Sequence, residues 1–276
     1  MHFKKRTFSP SVLPAVLLLL VLSGALLLSA CAGTPAAGQD DLPLLVIGSD
    51  NYPPYNYTDE NGQPAGVDVS LAREACRRIG CQPVFVSIEW ERKDDALQNG
   101  EVDCLWGCFS MNDREDLYLW AGPYAYSRQA VAVRQESDIY SLEDLSGRRV
   151  AVQVSSKPEE LFSAGTDPRL SAISNLYCLP GMEDVTSALR KGYVDACAGH
   201  AAALAAQMKS AGIPYRLLEE PLLRSEVGVA FSLQGDAALR DRLQAALMEM
   251  ADDGTTQSIL AEYGLDAADA AGRYDR

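Results

Sequence analysis

The residues best placed to do chemistry in this chain of 276 residues stand together at the start of a helix. Ser156-Lys157-Pro158-Glu159 has the form of a capping box, with Ser156 at the N-cap and Glu159 three positions on. The cap takes up donors of the first turn, and Pro158 has none to offer. The amides of Ser156 and Lys157 are then left at the positive end of the helix dipole, where an anion is attracted. An ordinary capped helix carries the same four residues, so they do not name a ligand alone.

Other catalytic arrangements find little support. His2 lies in the N-terminal segment and His200 is the only other histidine. A two-histidine metalloprotease motif cannot be built, and no metal site is expected. His200 could be paired with Glu159 or Asp195 as an acid–base couple, but no spacing demands it. Neither GxxxxGK[ST] nor GxGxxG occurs, so no nucleotide cofactor is expected. Of the 24 basic residues, Lys4, Lys5 and Arg6 precede Cys31, and none of the 38 acids does. The remainder therefore carries a net charge of −17. That balance argues against phosphate neutralisation and nucleic-acid binding.

The N-terminal segment reads as an address. Lys4-Lys5-Arg6 is followed by an apolar run from about Val12 to Leu28, then Leu28-Ser29-Ala30-Cys31. Basic start, apolar run and small-residue cleavage site are the order of an export signal. The cysteine after Leu-Ser-Ala resembles a bacterial lipobox. The resemblance implies a signal peptide over residues 1–31 and a lipid on Cys31 that anchors the protein to the extracytoplasmic face of the cell membrane. Residues 32–41 are small and polar and read as a tether. Six cysteines remain: Cys76, Cys81, Cys104, Cys108, Cys178 and Cys197. An exported protein can form disulfides, but spacing does not choose a pairing.

The elements that must position these residues alternate. Leu44–Gly48 reads as a buried strand. Asp68 can cap a helix whose apolar face is Leu71, Ala72, Ala75, Cys76 and Ile79, with Gly80 as the stop. Pro83–Ile88 is a strand, Arg92–Asn99 a helix and Val102–Trp106 a strand. The order then repeats: strand Arg149–Gln153, helix Lys157–Phe162, strand Asn175–Leu179, helix Met182–Lys191, strand Val194–Ala198. An amphipathic helix through Leu239, Leu243, Leu247 and Met250 follows, then a short final helix over Thr255–Tyr263. Such alternation predicts an α/β fold with mostly parallel sheets.

Several segments together resemble the polar amino-acid family of bacterial extracellular solute-binding proteins, family 3. They are Tyr52-Pro53-Pro54-Tyr55, Asn61-Gly62 and Gly66-Val67-Asp68-Val69; Trp90 with Ala96 to Asp103; Arg114 with Gly122-Pro123-Tyr124; Asp144 to Gln153; Gly192 to Ala196; and Asp253-Gly254-Thr255-Thr256. They stand in order over about residues 44–265. The resemblance implies a two-lobed periplasmic-binding-protein-like fold of type II, with two crossover strands. Lobe 1 would be residues 42–125 and 226–266, lobe 2 residues 126–225, and 267–276 a frayed tail. The ligand would lie between the lobes, at the C-terminal edges of the strands.

By the same resemblance Arg114 grips the ligand carboxylate, for which a guanidinium fork is the matching donor. Tyr52 and Trp90 would flank the ligand, and Ser156 and Lys157 would complete the carboxylate cage from the other lobe. Gly107 is retained. Phe109 stands where the family usually has threonine or serine, and Ser110 is one position off. His200 stands where the family often has the aspartate that binds an α-ammonium; a neutral imidazole accepts a hydrogen bond but supplies no countercharge. The implied role is capture of an amino acid or related small carboxylate by a monomer for an ABC-type permease. A sensory or scaffold module and a dehydratase on the same fold are the alternatives.

Overall fold

The computed structural model describes residues 42–265 except Ser171 and Ile213. Residues 1–31, expected to be a signal peptide ending at Cys31, the expected tether over 32–41 and the expected tail over 267–276 lie outside the described residues. Among the described residues no helix is long and apolar enough to cross a membrane.

The chain forms two α/β lobes on one continuous sheet. In the first lobe, β1 (Leu44–Ser49) pairs in parallel with β4 (Gln82–Ser87) and with β5 (Cys104–Ser110). A two-residue pair, β2 (Tyr57–Thr58) with β3 (Pro64–Ala65), lies between β1 and the first helix. In the second lobe, β7 (Arg149–Gln153) pairs in parallel with β8 (Asn175–Leu179) and β9 (Ala196–His200). Two antiparallel strands, β6 (Leu119–Arg134) and β11 (Leu223–Phe231), run between the lobes. β11 borders β5 and β6 borders β9, so the order is β4-β1-β5-β11-β6-β9-β7-β8, with β10 (Tyr215–Leu217) on β6.

Local chemistry accounts for most of these elements. Helix α1 (Val67–Ile79) buries Leu71, Ala72, Ala75 and Cys76, carries Arg77 and Arg78 in its last turn, and stops at Gly80 in the left-handed region. A 3-10 turn at Trp90–Arg92 leads into α2 (Lys93–Gln98). Helix α3 (Lys157–Ala164) starts as expected: Ser156 is the N-cap and its hydroxyl accepts from the Glu159 amide. Helices α4 (Met182–Arg190) and α5 (Ala201–Ser210) cover the second lobe, α6 (Ala237–Asp252) and α7 (Thr255–Glu262) the first.

Two expectations are corrected. Asp68 does not cap α1. Gly66 does, at φ 120°, where a Cβ would sit 2.2 Å from the Tyr55 carbonyl oxygen. Asp68 lies inside the first turn, buried, and accepts from Asn56 Nδ2 at 2.8 Å, the Cys108 amide at 2.7 Å and Tyr124 Oη at 2.8 Å. Burial raises its carboxyl to about 6 despite these donors. It ties the turn after β1 to the middle of β5, both of which carry the site. Second, β5 and β9 run two to four residues further than their apolar runs suggest. Pairing with β11 and β6, distant in sequence, continues both strands into polar residues.

Candidate functional site

One cavity, about 340 Å³ including space open to solvent, opens where β1, β5, β7 and β9 end. This is the crevice in which open α/β sheets take ligands. Tyr52, Trp90, Gly107, Ser110, Arg114, Ser156, Lys157 and His200 all line it. The eight positions singled out in the sequence are thus brought together from both lobes.

The wall of β5 is shaped by a bulge. Phe109 pairs with Gly228 but Leu105 with Ala230, so four steps on β5 oppose two on β11. Cys108 takes up the excess with φ 50°, and its amide is held by Asp68. Residues 107 to 110 all reach the cavity as a result. At Gly107 an added Cβ would lie 3.4 Å from the Trp90 indole, in ordinary contact, and 3.3 Å from Ser49 Cβ, so only a larger side chain would press on the ring. The Trp90 ring stands edge-on to Phe109, centroids 5.1 Å apart, and Phe109 packs on Tyr118 and Trp120.

Arg114 follows β5 in the loop to β6 and is only 4% exposed. Its Cζ lies 4.9 Å from the Phe109 ring centre, and Nη1 donates to the Ser110 carbonyl at 3.2 Å. The Trp120 indole donates to the Arg114 carbonyl at 2.9 Å and fixes the loop. From the second lobe, Glu160 accepts from Nε of Arg114 at 2.8 Å. Ser110 Oγ is 3.1 Å from both Ser225 Oγ and Asn112 Oδ1, so the hydroxyl is engaged within the wall.

At the tip of α3 the reciprocal half of the cap is displaced by one residue. Glu159 accepts from the Ser155 amide, not from Ser156. Ser155 has φ 57°, which turns the chain into the helix. The amides of Ser156 and Lys157 have no acceptor among the described residues. The Lys157 ammonium, buried, donates to Asp113 at 2.8 Å and to Glu160 at 3.0 Å.

His200 closes the far end. Its amide donates to Tyr52 Oη at 3.2 Å, and the two rings meet edge to face at 6.0 Å. Ring Nδ1 lies 2.8 Å from Ser127 Oγ and Nε2 lies 2.9 Å from Gln129 Nε2. With the Gln129 amide in this orientation its NH₂ donates to Nε2, and Nδ1 then carries the proton toward Ser127. Burial, opposed by a hydrogen bond to the Cys108 backbone and reinforced by the Arg114 charge, lowers the imidazole to about 3 and keeps it neutral. Both ring nitrogens are therefore already engaged. Glu159 is bonded to Ser155, and Asp195 pairs with Arg149 at 2.8 Å. The acid–base couple considered from the sequence is not assembled.

Residues 44–266 match bacterial extracellular solute-binding proteins, family 3. The chain belongs to this family. Similar proteins are the probable amino-acid-binding protein YxeM of Bacillus subtilis (strain 168), 28% identical over 86% of this chain and 89% of that one, and the histidine-binding periplasmic protein of Escherichia coli (strain K12), 26% identical over 88% and 96%. A solved structure, an ancestral arginine-binding protein bound to glutamine, superimposes with a TM-score of 0.73 at 27% identity, covering 80% of this chain and 97% of that one.

Phe109, Pro158 and four residues that the sequence did not single out for the site, Asp50, Cys108, Gln129 and Gln153, complete the lining of the cavity of this family 3 protein. Asp50 is the most consequential. It supplies a carboxylate where His200 cannot, and it accepts from Gln153 Nε2 across the cleft at 2.6 Å. Burial raises Asp50 to about 6. Gln129 spends both amide hydrogens on His200 and Ser225, and its Oε1 has no donor among the described residues. The available signal was position: Asp50 follows β1, at the strand edge where ligands sit.

Proposed function

We propose that this protein is an extracytoplasmic solute-binding lipoprotein, anchored through Cys31, that captures a zwitterionic amino acid for an ABC-type permease. The ligand carboxylate is gripped by Arg114 and the tip of α3. Its ammonium faces Asp50 and the Gln129 carbonyl oxygen. Tyr52 and Trp90 cover its two sides, and Gly107 and Ser110 form the floor. The lobes divide near residues 125 and 226, and the protein acts as a monomer.

One observation supports this above the others: Arg114 from one lobe and Ser156 and Lys157 from the other line the same cavity as the carboxylate of Asp50. Cationic and anionic ends within one cleft suit a molecule that carries both charges. The named binding functions of the relatives point the same way. Closure on the ligand would favour one interlobe arrangement by its differential contacts, and that arrangement is what a permease reads.

The test is a calorimetric screen of the chain lacking residues 1–31 against L-arginine, L-histidine, L-glutamine and L-cystine, with their decarboxylated amines as controls. Binding of an amino acid but not of its amine supports the assignment. Equal binding of both removes Arg114 as the carboxylate anchor.

A further inference from the structure

The fork of Arg114 already holds a carboxylate of this chain. Nε donates to Glu160 Oε1 at 2.8 Å and Nη2 donates to the same oxygen, while Nη1 is turned to the Ser110 carbonyl. The Nε–Nη2 edge is the one a planar carboxylate uses for side-on pairing. Glu160 Oε2 accepts from Lys157 Nζ at 3.0 Å, and Lys157 Nζ also reaches Asp113 at 2.8 Å. A chain of alternating charge, Asp113–Lys157–Glu160–Arg114, thus crosses from the loop after β5 to the first turn of α3.

Its members are unequally buried. The side chains of Arg114 and Lys157 are 5% and 3% exposed, those of Glu160 and Asp113 46% and 81%. The cations are fixtures of the cavity wall. Glu160 is half in water and can leave at little desolvation cost. A second carboxylate on Arg114 beside a retained Glu160 would be repelled by it at close range.

We infer that Glu160 is a tethered competitor for the Arg114 fork: a ligand carboxylate binds by changing places with it. Glu160 therefore determines specificity. A ligand without a carboxylate offers nothing to replace it, and a ligand with one binds more weakly than the bare fork would allow. This rests on the reading of Arg114 as the carboxylate anchor.

The experiment uses the chain lacking residues 1–31 as wild type, E160A, E160Q and E160A/R114A. Sodium acetate, balanced with sodium chloride, serves as the probe in thermal unfolding. Acetate is expected to raise the Tm of E160A by several degrees, to leave wild type unmoved, and to lose its effect in E160A/R114A. By calorimetry, whichever of the four amino acids binds wild type is expected to bind E160A and E160Q about ten-fold tighter. Acetate acting equally on wild type and E160A, or on neither, overturns the inference. So does amino-acid affinity that is unchanged or weaker in both variants, the latter being the mark of a Glu160 that contacts the ligand ammonium. If wild type binds an amino acid through Arg114 and neither variant binds it tighter, the competitor fails while the proposed function stands. If no amino acid binds but acetate acts on E160A alone, the proposed ligand fails and the competitor stands.

Discussion

Gln153 at the end of β7 donates its amide to Asp50 at the end of β1, 2.6 Å away and on the opposite lobe. The bond does not bring Asp50 back to an ordinary carboxylate; burial holds it at about 6.

The first prediction concerns pH. An ammonium ligand needs Asp50 ionised, so affinity should be flat above pH 6 and fall below it, by up to about ten-fold per pH unit. Calorimetry between about pH 8 and about pH 5 reads this. Asp50→Asn should weaken binding about ten-fold at neutral pH and remove the decline. A decline that persists in Asp50→Asn assigns it to another group.

Arg114→Ala should abolish amino-acid binding and leave the protein folded. Glu160 is half exposed and retains Lys157, so the substitution strands no buried anion. A cost of about 1–3 kcal/mol in denaturant unfolding is expected from the lost hydrogen bonds and the lost contact with Phe109. Arg114→Lys should not restore binding, because an ammonium cannot form the paired side-on contact. Full affinity in Arg114→Lys would reduce the residue to a point charge.

His200 should give the fold a pH signature of definite sign. The imidazole stays neutral down to about 3, whereas in the unfolded chain it takes a proton near 6.5. Its contribution is complete above about 6.5 and is lost as pH falls toward 3, by up to about 1.4 kcal/mol per pH unit. Asp50 and Asp68, both raised to about 6, act in the opposite sense. Their contribution is present below about 3.9 and lost as pH rises through 6. The difference between wild type and His200→Gln in urea unfolding isolates the histidine, and a difference that does not change with pH counts against its burial as a neutral ring.

Gly107→Val should displace the Trp90 indole, since even a Cβ would lie 3.4 Å from it. Overpacking of this kind costs about 1–3 kcal/mol. Ligand affinity should fall more than stability does, and quenching of Trp90 fluorescence on ligand addition should be lost. Gly107→Ala should be nearly silent in both assays.

How much was legible beforehand depended on whether a residue's role was local. The capping of α3 by Ser156 needs only a hydroxyl and the amide three positions on, and it formed as written. The partner of Glu159 moved to Ser155 because that residue enters the left-handed region, a backbone state no side chain advertised. Asp68 has the side chain of a good cap. Its real partners, Asn56, Cys108 and Tyr124, are 12, 40 and 56 positions away. Strands β6 and β11 pair with each other across about a hundred residues, and their register set where β5 bulges.

The sequence by itself determined the alternation of strand and helix, the acid balance, the family and the eight positions around the cleft. These follow from apolar periodicity, from turn and cap residues, and from motifs in a fixed order. Only the tertiary structure decided which charges meet: Asp50 against Gln153, Glu160 on Arg114, Asp113 on Lys157. Those pairs join residues of different lobes, and their energies depend on distance and burial, quantities that exist only once the two crossover strands have brought the lobes face to face.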